Sequence, residues 1–122
     1  MVDKESISGV DIYDYKNDNY MSVMRYGAWR IAYLNNGDKF FEKNFQRIER
    51  HLQTDEAFIL LEGEATLIIG EELNRIKMKP HKVYNVPKGV WHHIFTGEGT
   101  RVLIVENEDT GADNSEYMSV SR

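Results

Sequence analysis

With no cysteine in 122 residues, any metal or nucleophilic chemistry in this chain falls to His, Asp, Glu and hydroxyl groups. Thiolate nucleophiles, thiolate metal sites and disulfides are excluded together. Two short stretches concentrate the remaining candidates. In the first, Glu49 and His51 sit two apart, and Glu56 follows at the head of the apolar run Ala57-Phe58-Ile59-Leu60-Leu61. In the second, Pro87-Lys88-Gly89-Val90-Trp91-His92 sets a rigid turn just ahead of another imidazole. Imidazole and carboxylate together make an N/O donor set suited to Fe, Mn, Ni, Co or Zn, with water in the open positions.

Side chains two apart on a strand point the same way. Phe45, Arg47, Glu49 and His51 then share one face, and Gln46, Ile48 and Arg50 the other. A buried charge costs several kcal/mol unless it is paired or liganded. Three ionisable groups on one face therefore imply a wet cavity rather than a packed core. Glu56 can fold back beside His51, and strand parity puts Phe58 and Leu60 on the Glu56 side, where they would line the wall.

The elements that must position these groups are short. Apolar, β-rich stretches run over 28–34, 40–50, 57–61, 65–69, 82–86, 92–95 and 101–106. Turn-forming clusters separate them: Asn35-Asn36-Gly37-Asp38, Glu62-Gly63-Glu64, Gly70-Glu71-Glu72, Pro87-Lys88-Gly89 and Gly97-Glu98-Gly99. No stretch between Met24 and Glu106 keeps a helical period over a dozen residues, so a sandwich or small barrel is expected. Residues 1–19 form a polar arm, loose or paired at a sheet edge. Residues 20–107 form the barrel domain. Residues 108–122 form a polar tail whose Tyr117-Met118 pair suggests docking more than a strand.

Both stretches resemble the paired motifs of the cupins. Glu49-x-His51, four residues, Glu56, six residues and Gly63 match the first motif, with Glu49 standing where the first His is usual. Pro87, Gly89 and His92 match the second, and His81 replaces the glycine that commonly opens it. The pair covers about half the chain and is more specific than either half alone. The resemblance implies a small single-domain cupin of the Cupin_2 type, an all-β jelly-roll barrel (double-stranded β-helix). It also implies that His51, Glu56 and His92 converge on a divalent metal, with Glu49 as a further metal ligand. Alternatively, Glu49 pairs with Arg47 or hydrogen-bonds His51, and the site holds no metal. Arg47 is then a counter-charge to Glu49, or a clamp for an anionic ligand. His93 must face away from His92, and Trp29 and Trp91 are expected to pack.

Composition narrows the partners. The formal net charge is −5 and the basic residues are scattered, which disfavours nucleic acid. No run approaches the ~20 apolar residues of a membrane span, and the charged start argues for a cytoplasmic protein. The expected function is a metal-binding cupin that acts on or binds a small polar metabolite, an organic acid or sugar, with Arg47 and Phe58 contacting the ligand. The alternative is a metal-free binding or sensor module without catalysis. A third possibility is a metal-free isomerase or epimerase using His51 and Glu49 as an acid–base pair. A homodimer is expected, covering outward apolar residues such as Ile48, Ile59 and Leu61, with the arm 1–19 crossing to the neighbour.

Overall fold

The computed structural model describes residues 1–108 and 112–120. The parts of the tail at 109–111 and 121–122 lie outside the described residues. The first two strands, β1 (Asp3–Ile7) and β2 (Val10–Asp14), form a hairpin of their own. Ser8 and Gly9, both at positive φ, close it with the tight turn that matches strand twist. The arm thus pairs with itself and not with a barrel edge. Its far end is tied down: the Asn35 amide donates to the Tyr15 and Asn17 carbonyls at 2.9 and 2.8 Å, and Arg101 donates to the Tyr15 carbonyl at 2.7 Å.

Ten further strands build two facing sheets, the jelly-roll barrel that strand spacing and turns lead one to expect. They are β3 (Tyr20–Tyr26), β4 (Trp29–Asn35), β5 (Arg47–His51), β6 (Glu56–Glu62), β7 (Ala65–Ile69), β8 (Asn74–Lys77), β9 (Val83–Val86), β10 (His92–Thr96), β11 (Arg101–Asn107) and β12 (Ser115–Ser119). One sheet runs β12-β5-β10-β7-β8 and the other β3-β4-β11-β6-β9. Strand pairs within them are antiparallel, and among the described residues no helix is long and apolar enough to cross a membrane.

Alternation sets the core. Phe58 and Leu60 on β6, and Val102 and Ile104 on β11, point between the sheets to meet Ala32, Leu34, Leu67, Met78 and Ile94. By the same parity Glu56 and Glu106 also point inward, and both are buried. Gly63 lets the β6–β7 turn close on its neighbour. Its φ is +78°, and a Cβ there would lie 2.7 Å from the Thr100 Cα. His81 holds a φ of +70°, which explains why a glycine suits that place.

Three expectations change. Residues 40–50 are not one strand: two 3-10 turns at Asp38–Phe40 and Glu42–Asn44 precede β5. Their polar residues bond locally, with the Asn44 amide donating to the Asp38 carbonyl at 2.7 Å. Phe45 consequently leaves the Glu49 face and joins Ile48, Ile68 and Phe95 in a second cluster on the outer side of the β5 sheet. Ile48 is therefore not free to receive a second copy, because the chain covers it itself. Burying such side chains stabilises by roughly 1.5–3 kcal/mol each, reason enough for the chain to do so. Finally, 115–119 is a strand and not a docked tail. It pairs with β5 from Ser115 opposite His51 to Ser119 opposite Arg47, and Met118 and Val120 pack on the outer cluster.

His93 belongs to this outer layer, its ring stacked 4.8 Å from Phe45 and edge-on to Phe95 at 5.6 Å. Burial, with help from nearby His92, pushes its pKa down to about 4, and its buried Nε2 meets no hydrogen-bond partner among the described residues. The unfolded chain, titrating near 6.5, takes up a proton that the folded chain refuses between those values. Stability should therefore fall as pH drops from 6.5 to 4, by up to about 2 kcal/mol once residual solvent contact is allowed for. His93→Phe should flatten that decline in urea melts across this range; an unchanged decline would contradict the assignment.

Candidate functional site

Two motif loops are laced together beside His51 at the end of β5. The turn at Pro87–Gly89 places Gly89 at φ +82°, and its N–H donates to the His51 carbonyl at 2.7 Å. Asp55 receives the Lys88 N–H at 2.9 Å and the Asn85 amide at 3.1 Å. Asn114, buried, grips the 52–54 loop from the other side: it accepts from the Gln53 N–H at 2.7 Å and donates to the Thr54 hydroxyl at 2.8 Å. The spacer between His51 and Glu56 is thus fixed at both ends.

His51, Glu56 and His92, all buried, converge inside the barrel. Glu56 Oε1 lies 3.0 Å from His51 Nε2 and 3.1 Å from His92 Nε2. The remaining ring nitrogens are occupied. His51 Nδ1 is 2.9 Å from the Ser115 hydroxyl, and His92 Nδ1 is 3.0 Å from the Val90 carbonyl. A carbonyl only accepts, so His92 Nδ1 carries the hydrogen. His92 Nε2 then faces the Glu56 oxygen either as an N–H donor or as a lone pair, and the lone pair is open to a proton on the carboxyl or to an ion bound by both atoms.

Electrostatics agree with a shared positive charge. Burial works to raise the Glu56 pKa, but the hydrogen bonds from His51 and His92 outweigh it and hold the carboxyl low. Burial likewise works to lower that of His92, and Glu56 overturns it, leaving His92 raised. Glu49 sits opposite His92 across the β5–β10 ladder, its Oε1 3.9 Å from His92 Nε2. Glu49, His51 and His92 each offer a ligand atom, all within 4.8 Å of one another, a group that could hold a metal ion. Glu56 lies outside that group of three but touches both of its imidazoles.

A second polar centre was hidden in the sequence. Glu106 lies opposite Glu56 across β11 and β6, close enough for each carboxyl to shift the pKa of the other. Burial first, and then Glu56, raise the Glu106 pKa to about 7. Tyr20 OH and Arg30 Nε, the latter at 3.0 Å, both donate to Glu106 Oε1. Period-two parity from Val102 through Ile104 would have put Glu106 inside. Ser115 could be placed only once its segment was known to be a strand.

These groups line a cavity of about 440 Å³ with an apolar floor of Leu34, Phe58, Ile94 and Ile104. Phe58 lies against His92, ring centroids 6.1 Å apart, whereas Leu60 is sealed in the core and does not reach the cavity. Arg47 lines the mouth, but its guanidinium lies over the Tyr117 ring at 4.0 Å and forms no ion pair with Glu49 among the described residues. The counter-charge reading of Arg47 is thereby replaced by a cation–π contact. Trp29 stands half exposed beside Tyr26, and Trp91 packs under Arg50; neither lines the cavity.

Comparison with known proteins places the architecture. The structure is similar to that of PAC13 from Streptomyces, solved with uridine, at a TM-score of 0.64 and 8% identity over 99% of this chain and 87% of that one. PAC13 is described as a nucleoside dehydratase. A cupin-2 domain protein from Shewanella frigidimarina matches at TM-score 0.56 and 19% identity, covering 77% of this chain and 85% of its own. KdgF from Halomonas matches at 0.55 and 12%, covering 72% and 76%. No curated protein matches the sequence. The family model described as "Cupin domain" matches residues 42–106, the stretch that carries both motif loops and every inward acid and imidazole above, and on that match the chain belongs to the cupin family.

Proposed function

We propose that this cupin binds a divalent transition metal, Fe, Mn, Ni, Co or Zn, through His51, Glu56 and His92, with Glu49 as a further ligand, and that it binds or acts on a small polar metabolite in the cavity. The observation that carries this is the convergence of two imidazole Nε2 atoms on one buried carboxylate oxygen at 3.0 and 3.1 Å. Neighbouring ligands of an ion at ~2.1 Å stand roughly 3.0 Å apart at right angles, so the spacing fits a coordination edge. Both Nδ1 atoms are already fixed by outer hydrogen bonds, as metal-binding imidazoles require. The ion, when bound, supplies Lewis acidity toward oxygen atoms of the metabolite. The chain's residues do the rest: Phe58 and the apolar floor restrict water, Arg47 stands at the mouth, and Glu106, oriented by Tyr20 and Arg30, holds a proton at the cavity wall.

A metal-free reading has its own support. The same three side chains are within hydrogen-bonding distance as they stand, so a proton on His92 would satisfy Glu56 without any ion. The fold is shared with PAC13, solved with uridine. In that reading the cavity is a binding or acid–base site for a small neutral or anionic metabolite.

As part of the same proposal the chain works as a homodimer in the cytoplasm, with the β1–β2 hairpin crossing to the partner copy. A two-stranded hairpin is marginal alone, and this one exposes Ile7, Val10 and Ile12.

Metal analysis of untagged protein should find about one transition ion per chain, and His92→Ala should lower its affinity by more than about tenfold. Affinity should also weaken as pH falls through imidazole titration, because only neutral imidazole coordinates. No metal after either aerobic or anaerobic preparation would favour the metal-free reading. Light scattering should give twice the 14.3 kDa chain mass, and a monomer at all concentrations would remove the dimer.

A further inference from the structure

The cavity is polarised from end to end. Its buried end carries Glu56, Glu106 and the two imidazoles, its exposed mouth carries Lys39 and Arg47, and the half-buried Glu49 lies between them. The chain has 20 acidic residues against 15 basic ones, so an arginine rarely lacks a carboxylate neighbour. Arg25, Arg30, Arg50, Arg75 and Arg101 each pair with an acid. Among the described residues Arg47 does not, although Glu49 is two positions along its own strand. The Tyr117 ring, 4.0 Å below the guanidinium, holds it instead. Lys39 is likewise without an ion pair among the described residues and lies 5.1 Å from the centroid of the Phe40 ring, which itself lines the cavity. Aromatic faces orient a cation without neutralising it. Both cations keep their charge available at the mouth, inside a molecule of net charge −5.

Strand geometry gives the scale. Arg47, Glu49 and His51 share the cavity side of β5, and at about 3.3 Å per residue Arg47 is roughly 13 Å along the strand from His51. The arginine side chain shortens that span. A cavity of about 440 Å³ admits a molecule the size of a pentose phosphate or a sugar acid.

We propose that the ligand is an elongated small metabolite with a phosphate or carboxylate at one end and hydroxyl or carbonyl oxygens at the other. Arg47 and Lys39 hold the anion at the mouth, and the oxygen-bearing end reaches His51, Glu56 and His92. This rests on the cavity being the ligand site, as proposed above, but not on whether metal is present. A guanidinium suits either anion by paired N–H donors, so phosphate and carboxylate are separated by experiment.

Full-length protein, with its metal content measured in parallel, is titrated with inorganic phosphate and with two matched pairs: ribose 5-phosphate against ribose, and gluconate against glucose. Backbone amides of residues 38–50 are followed by NMR. The anionic member of at least one pair should bind at least about tenfold tighter than its neutral partner. Inorganic phosphate should shift the amides of Lys39 and Arg47 if phosphate is the anion, and leave them still if carboxylate is. A variant combining Lys39→Gln and Arg47→Gln should lose the preference while its metal content stays that of the unmodified protein. Equal affinities within both pairs, no binding by any of the four, or a preference that survives in the variant would overturn the proposal. Absence of metal with the anion preference intact would instead count only against metal binding.

Discussion

A carboxylate stripped of water is tolerable only beside positive charge, and Glu56 is stripped of water. It sits at the first position of β6, 6% exposed, with two imidazole nitrogens converging on one of its oxygens. Leaving such a group without partners would cost about 3–5 kcal/mol, a large share of what holds a domain of this size together. The surrounding architecture meets that single requirement. Gly89, bonded to the His51 carbonyl, joins the two loops that bring the imidazoles. Asp55 and Asn114 hold the spacer, and Ser115 and Val90 fix the far side of each ring.

The barrel accordingly divides its work between layers. Apolar packing is dense at the closed end, where Leu34, Leu60, Leu67 and Val102 are almost fully buried, and again on the outer side of the β5 sheet. Between those layers the cavity keeps its acids in contact with donors. Glu106 is the second such acid. Its contact with Glu56 would be repulsive if both were charged, and Tyr20 and Arg30 donate to the oxygen that would otherwise carry unmatched charge. Burial and Glu106 push the Tyr20 phenol up, so it remains a donor.

Much of this was legible in the sequence. Strand parity and turn chemistry place β4, β6, β7, β9, β10 and β11 within a residue or two, because each is a short alternating run with glycine, proline or asparagine at its ends. The motif spacing brings His51, Glu56 and His92 to one place. What escaped was tertiary in origin. Residues 40–50 have strand-like composition, yet local bonding by Asp38 and Asn44 curls the first half into turns and sends Phe45 to the outer cluster. The segment around Tyr117 looks like a tail until β5 offers it an edge. The strand β8, Asn74–Lys77, is exposed throughout and carries no periodic signal. Arg47 beside Glu49 suggests an ion pair, and only the arrival of Tyr117 shows why it does not form.

The positive charge beside Glu56 is either a metal ion shared with His51 and His92 or a proton. Anomalous diffraction from crystals of untagged protein, collected on both sides of the absorption edge of the metal found in it, addresses this directly. A metal ion bound as proposed gives a single strong peak about 2.0–2.2 Å from both Nε2 atoms and from a Glu56 oxygen. Clear density for all three side chains, with no peak and Glu56 still in direct contact with both rings, would show that a proton does the work instead.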